Sequence, residues 1–217
     1  MVMYENNVVV CGTGGFAQEV IADFRRNVRA VYDPNYKDDE FEGLKVFKKP
    51  EDFAIFTPGH FGAVIAVGHP DVAQRIKKEL DEMGVHLAEP LISNRAVITG
   101  RDTHIGRGSM IMAGTVITEH VSIGECCIIN LNCTIGHGAK LGNFVSVMPL
   151  TAISGNAWIQ DNSYLGSQVF VMEGVVIPEG STIGAQSGVL KNLQTPNRIW
   201  VGTPAKDRFA SVEQEKK

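Results

Sequence analysis

Residues 105–189, written in groups of six, read IGRGSM IMAGTV ITEHVS IGECCI INLNCT IGHGAK LGNFVS VMPLTA ISGNAW IQDNSY LGSQVF VMEGVV IPEGST IGAQSG V. Every group opens on an aliphatic residue, from Ile105, Ile111 and Ile117 through Ile135, Leu141 and Val147 to Ile183 and Val189, without a gap. Two places before each anchor sits a small or β-branched residue, among them Ser109, Thr115, Cys127, Cys133, Ala157 and Ser187. A helix repeats every 3.6 residues, which six does not supply; a six-residue repeat of aliphatic anchors marks hexapeptide coils, with an ordinary β-sandwich of alternating strands as the alternative. Three short strands and three turns close a triangular coil of about eighteen residues, and coils stack at roughly 4.8 Å. The anchor points into the prism and the small residue fills the corner beside it. Glycine follows the anchor at Gly106, Gly124, Gly136, Gly142, Gly166 and Gly184, which reads as corners that need a positive φ. The expected architecture is a parallel β-helix of about five coils.

Working outward, the chain of 217 residues has room for one more small domain. Its net charge of −4 and its lack of a long basic run argue against nucleic acid as the main partner. No apolar run reaches membrane-spanning length and no charged leader precedes an apolar segment, so a cytoplasmic protein is expected. The four cysteines, Cys11, Cys126, Cys127 and Cys133, lack the spaced pairs of a zinc site. They read as reduced core thiols, and no metal is expected.

Ahead of the repeat, the apolar strand Asn7–Cys11 runs into Gly12-Thr13-Gly14-Gly15-Phe16-Ala17. Residues 18–25 then read as a helix and residues 29–32 as a second strand ending at Asp33. Strand, glycine turn, helix, strand, acid is the opening of a nucleotide-binding βαβ unit. The glycines let backbone N–H groups approach a phosphate at the helix N-terminus, and Asp33 is placed to accept from a ribose or base. A buried strand over 62–68, an amphipathic helix over 71–83 and a strand near 85–87 continue the unit. About four parallel strands fit, too few for a full dinucleotide fold. The expected division is a small Rossmann-like α/β domain over 1–92, the β-helix over 93–194 and a tail over 195–217, whose last residues, SVEQEKK, read as frayed.

These pieces together resemble the bacterial sugar O-/N-acyltransferases, the group of sialic acid O-acetyltransferases and nucleotide-aminosugar N-acetyltransferases. The residues that carry the resemblance are GTGGFAQEV at 12–20, Asp33, AVGHPDVAQRI at 66–76, the unbroken hexads, IINLNCTIGHGAKLG at 128–142 and VGTPAK at 201–206. The resemblance implies a left-handed β-helix, a homotrimer, acetyl-CoA as donor and a nucleotide-linked amino sugar held by Gly12, Thr13, Gly14, Gly15, Phe16 and Asp33. It places His137 where the family keeps its catalytic histidine, Asn130 near the acceptor amine or hydroxyl, and Gly155 near the thioester. Ser146, Ala185, Gly202 and Lys206 complete the expected cofactor contacts, with the tail over 200–206 covering part of the donor. The chain departs from the family pattern at three points. Gly138 stands where an acid usually follows the histidine, Ser146 where a second histidine often lies, and Phe16 where many members have histidine.

The residues also make a chemical case. An acetyl thioester is already activated, so the acceptor needs only a base for its proton and donors for the developing oxyanion. Histidine suits the first task, and two residues past Ile135 it should point outward at a corner. His104 and His120 also fall at outward positions and read as surface residues. Counting eighteen back from His137 reaches Glu119, a candidate carboxylate partner on the preceding coil, and eighteen forward reaches Gly155. The reading is direct acetyl transfer to an amino sugar in surface polysaccharide synthesis. Its alternatives are O-acetylation of a sugar such as sialic acid, a catalytically weakened hexapeptide scaffold, and an NAD-dependent oxidoreductase argued from the glycine turn alone.

Overall fold

The computed structural model describes residues 7–56 and 61–209, so the SVEQEKK end lies outside the described residues. The N-terminal unit is a five-stranded sheet of β1 (Asn7–Cys11), β2 (Val28–Tyr32), β3 (Glu40–Phe41), β4 (Leu44–Phe47) and β5 (Phe61–Ile65), in the order β3-β4-β2-β1-β5. β4, β2, β1 and β5 run parallel, and β3 closes one edge antiparallel. The central strand NVVVC is apolar almost throughout because helices and prism cover both faces of the sheet. Helix α1 (Gly15–Asp23) buries Ala17, Val20 and Ile21, a one-faced spacing. Helix α2 (Pro70–Glu82) starts on a proline at its first position and buries Ala73 and Leu80.

Three of the parallel strands, β1, β2 and β5, and both helices match the sequence reading. The β3–β4 hairpin and the 3-10 helix Pro50–Ile55 were not foreseen. The hairpin turns on Glu42 and Gly43, at φ 49° and 66°, a turn whose usual Asn-Gly or Asp-Gly signal the sequence lacks. The strand expected near 85–87 reduces to one bridge, between Ala63 and Leu87.

From Leu91 the chain winds into a left-handed parallel β-helix with three sheets. β6 (Leu91–Ile92) pairs with Met110–Ile111, so the prism takes in two residues ahead of the boundary read at residue 92. The eight-stranded sheet, here the domain face, carries Ile128–Ile129; the six-stranded apolar face carries Thr134–Ile135; the five-stranded polar face carries Lys140–Leu141. Partners are eighteen residues apart, as Thr134 with Ala152 and Ile135 with Ile153. Anchors from Ile111 to Val189 are at most 4% exposed, each stabilising by about 1.5–3 kcal/mol.

Polar corner residues are buried because they tie neighbouring turns. Ser109 Oγ donates to the Gly124 carbonyl at 2.8 Å, Thr115 Oγ1 to the Asn130 carbonyl at 2.8 Å, and the Cys127 thiol to the Gly142 carbonyl at 3.0 Å. A buried hydroxyl without such a partner would destabilise the turn.

The glycines after the anchors have a different role from the one expected. Positive φ falls three residues past the anchor, at Gly108, Gly114, His120, Cys126, Asn132 and Gly138 and onward every sixth residue to Gln186. The glycines directly after the anchors are needed for close approach instead: a Cβ on Gly136 would lie 2.6 Å from the Gly155 nitrogen on the next coil.

The segment read as tail adds a further rung. Ile199–Val201 pairs parallel with Thr182–Ile183, and Lys206–Asp207 folds back on it antiparallel. Leu193, Ala205 and Trp200 thereby cover the end of the core, the capping that a stacked-coil fold requires. The N-terminal unit docks on the domain face, where Val8, Val10, Ala17 and Val20 share a cluster with Leu91, Met110, Met112 and Ile128. Polar contacts pin the same seam: His69 stacks on Tyr164 at 5.6 Å, Gln74 donates to Asn162, and Arg95 pairs with Asp23 at 2.7 Å.

Candidate active site

His137 stands at the corner between the apolar and polar faces, two residues past the buried Ile135, with its side chain exposed. Its ring lies against Gly155 of the next coil. A Cβ on Gly155 would sit 2.5 Å from Cε1, 2.6 Å from Nε2 and 3.0 Å from Nδ1 of His137. Only glycine at 155 leaves room for the imidazole, and the ring in turn buries Gly155. The main chain holds this register: Asn156 N donates to the His137 carbonyl at 2.7 Å, and Gly174 N to the Gly155 carbonyl at 2.9 Å. The Gly155 N–H donates to no acceptor among the described residues.

Glu119 occupies the same corner one coil earlier, and its carbonyl accepts from Gly138 N at 2.9 Å. Its exposed side chain makes no hydrogen bond to His137 among the described residues, because the ring leans away from it, onto Gly155. At Gly138, φ is +67° and a Cβ would collide with Asn156 Oδ1. The asparagine amide takes the space that an acid following the histidine would need.

Asn130 sits at a different corner, between the domain and apolar faces. It is 6% exposed, its Oδ1 accepts from Leu131 N at 2.7 Å, and a single chain does not bring it to His137. Ala185 lies at that same corner near the capped end, where Gly202 accepts at its carbonyl from Gly188 N at 3.0 Å. Lys206 pairs with Val201 alongside. Ser146, expected against the cofactor, is only 3% exposed on the domain face, since the N-terminal unit covers that sheet. It therefore cannot meet a ligand on the outer surface.

The glycine turn opens a cavity of about 490 Å³ at the carboxyl ends of the parallel strands. Gly12, Thr13, Gly14 and Asp33 line it. Gly12 needs its φ of +112°, and a Cβ there would meet Val67 at 3.0 Å. Asp33 is held by Thr13 Oγ1 at 2.6 Å and by Asn35 N at 3.0 Å. Helix α1 follows Gly14 with no side-chain cap and no acid in its first turn, which leaves its N-terminal end open to an anion. Gly15 and Phe16 do not line the cavity: Phe16 is half-buried against the core cluster of the seam, turned there by the first turn of α1. The opposite wall, Val72, Arg75, Ile76 and Glu79 of α2, was missed, although its three- and four-residue spacing marks one helix face.

Burial pushes the Cys126 and Cys127 thiols up to about 12 and Cys133 to about 11, and raises Cys11 further still. All four are free and buried, as read from the sequence. Among the described residues no cluster of His, Cys, Asp and Glu could hold a metal ion, and no helix is long and apolar enough to cross a membrane.

The PglD N-terminal domain family matches residues 7–80, the whole of the glycine turn, Asp33 and most of α2. PerB of Caulobacter crescentus, solved with CoA and GDP-perosamine, superposes with a TM-score of 0.82 and 26% identity, covering 94% of this chain and 97% of that one. In its N-terminal domain and its fold the chain is similar to bacterial sugar acyltransferases. The acetyltransferase domain of PglB from Neisseria gonorrhoeae shares this fold at a TM-score of 0.83 and 23% identity, covering 93% of this chain and 99% of that domain. An acetyltransferase-like protein of Schizosaccharomyces pombe is 47% identical over 57 residues, which is 26% of this chain and 27% of that protein. That match thus spans about a quarter of the curated relative.

Proposed function

We propose that the protein is an acetyl-CoA-dependent N-acetyltransferase acting on a nucleotide-linked amino sugar in polysaccharide synthesis. One observation carries the reading: an outward imidazole lies on a glycine whose N–H is free, on a protein that also holds a nucleotide-sized cavity behind a glycine turn. In this reading the acceptor nitrogen bonds to the acetyl carbonyl carbon while its proton passes to His137. The Gly155 N–H stabilises the oxyanion. The tetrahedral intermediate then collapses, the carbon–sulfur bond breaks, and CoA leaves as its thiol. Asn130 positions the acceptor, and Ala185, Gly202 and Lys206 flank the donor. Similarity to PerB, solved with CoA and a GDP-linked amino sugar, supports both substrates. Both are phosphorylated and do not cross bilayers unaided, which puts the reaction in the cytoplasm.

The reading includes a homotrimer with shared sites. The nucleotide cavity belongs to a domain docked on the domain face, whereas His137 stands at the corner opposite that face. One chain cannot bring them together. Between the Asn130 and His137 corners runs the apolar face, whose outward residues include Val97, Val116, Ala152 and Phe170, with Val97 51% and Phe170 43% exposed. Parallel sheets are normally covered on both sides. Three copies with this face toward a common axis would cover it, and would set the His137 corner of one chain against the Asn130 corner of the next.

The test is release of free thiol from acetyl-CoA with a panel of UDP-, dTDP-, GDP- and CMP-linked amino sugars. The expected result is amide formation on at least one, and a loss of roughly a hundredfold in His137→Ala. Transfer to a hydroxyl alone would establish O-acetylation, and binding without turnover would establish a scaffold.

A further inference from the structure

We propose that Glu173 is the carboxylate that positions His137, reaching it across the empty place left by Gly155. The inference rests on the acyl-transfer reading above for its kinetic consequence and on geometry alone for the contact.

The corner between the apolar and polar faces is a column of residues eighteen apart: Arg101, Glu119, His137, Gly155, Glu173 and Lys191. Neighbours in it are one rung apart, about 4.8 Å. The His137 ring does not stand midway between its neighbours. Both of its nitrogens lie within 3.0 Å of where a Gly155 Cβ would be, so the ring spans most of the rung toward Glu173. With no side chain at 155, the first side chain beyond the ring is that of Glu173. It is exposed and holds no hydrogen bond or ion pair among the described residues. A glutamate has the reach to cross the remaining rung to a ring nitrogen. Glu119, by contrast, lies behind the ring.

The need for such a group follows from the chemistry. A histidine base must keep a proton on one nitrogen while the other accepts the proton of the acceptor amine. A carboxylate accepting from the first fixes the tautomer and favours the imidazolium that forms. The position directly after His137 does not supply it, because it is Gly138, and Asn156 Oδ1 fills the space where its Cβ would stand. The other charged groups around the ring are accounted for. Asp102 and His120 face each other at 3.5 Å in the adjacent column, Lys140 lies outward on the polar face, and Arg101 and Lys191 end the column.

The experiment compares wild type, Glu173→Gln, Glu173→Asp and Glu119→Gln by pH–rate profile and by ¹⁵N NMR of the imidazole. Glu173→Gln is expected to lower kcat roughly tenfold or more with KM for either substrate little changed. It should move the acid limb of the profile to lower pH, and it should turn a single imidazole tautomer into a mixture. Glu173→Asp should recover part of both signals, and Glu119→Gln should leave both as in wild type. In a His137→Ala background, Glu173→Gln should have no further effect on rate. An unchanged profile and tautomer in Glu173→Gln would overturn the proposal even if wild type is fully active. A tautomer change in a protein that acetylates nothing would leave Glu173 in place and remove the acyl-transfer reading instead.

Discussion

Gly155 shows how a missing side chain can matter more than one that is present. Its Cβ position is occupied by the His137 ring, and its φ lies outside the left-handed region, so alanine there is compatible with the backbone but not with the imidazole. Gly155→Ala is expected to leave the melting temperature nearly unchanged while lowering turnover about a hundredfold, the usual effect of a base displaced by about 1 Å. Matched thermal melts and thiol-release rates check this. The corner thiols make a second prediction. Their folded values of about 12 for Cys126 and Cys127 and about 11 for Cys133 stand above the usual 9.0. The unfolded chain therefore loses these protons first, and the stability they contribute is complete below pH 9 and declines as pH rises toward 12. Urea midpoints should fall across that window. The fall should be shallower in a Cys127→Ser, Cys133→Ser variant, since serine and threonine already fill the equivalent place in other coils, as at Ser109 and Thr115.

At the scale of elements, the seam between the N-terminal unit and the prism is the joint that sets where the cavity behind the glycine turn faces. Its apolar part is broad, but the stacked pair His69 and Tyr164 and the Gln74–Asn162 bond tie the start of α2 to the domain face. Tyr164→Ala should cost about 1 kcal/mol of docking beyond the lost area. The expected readout is faster amide hydrogen exchange in α2 with the hexad strands unaffected, because coil stacking does not depend on the outward ring. The hexads themselves were legible from the chain, since fifteen anchors in one rhythm admit few folds. The β3–β4 hairpin was not, for it hangs on a Glu-Gly turn with no strong local signature. The corner glycines were legible as special but misread, because close approach between coils and positive φ both favour glycine.

For the whole molecule, the division of the candidate residues between two corners yields a sharp test of sharing. Co-expression of a His137→Ala chain with an Asp33→Ala chain should restore activity if each site takes its base from one chain and its cavity from another. Random mixing in a trimer would make about a quarter of the sites intact. Sites confined to one chain would give none, and size-exclusion light scattering on the same sample reads the assembly directly. Ser146 and Phe16 carry the complementary lesson. Both were placed at the ligand by motif alone, and both are taken up by the seam instead, since a motif records residue spacing and not which face another domain covers.

The sequence by itself determined the prism and its eighteen-residue register through periodicity, and the glycine turn through its motif. Each follows from a local rule, an aliphatic side chain every sixth residue or a glycine where the backbone must approach closely. The tertiary structure decided that the imidazole leans onto Gly155 rather than toward Glu119, that Asn156 closes the place beside Gly138, and that this imidazole and the cavity stand on opposite sides of one chain. These depend on which side chains compete for one volume and on how two domains dock. Such contacts join residues distant in sequence, so no local pattern encodes them.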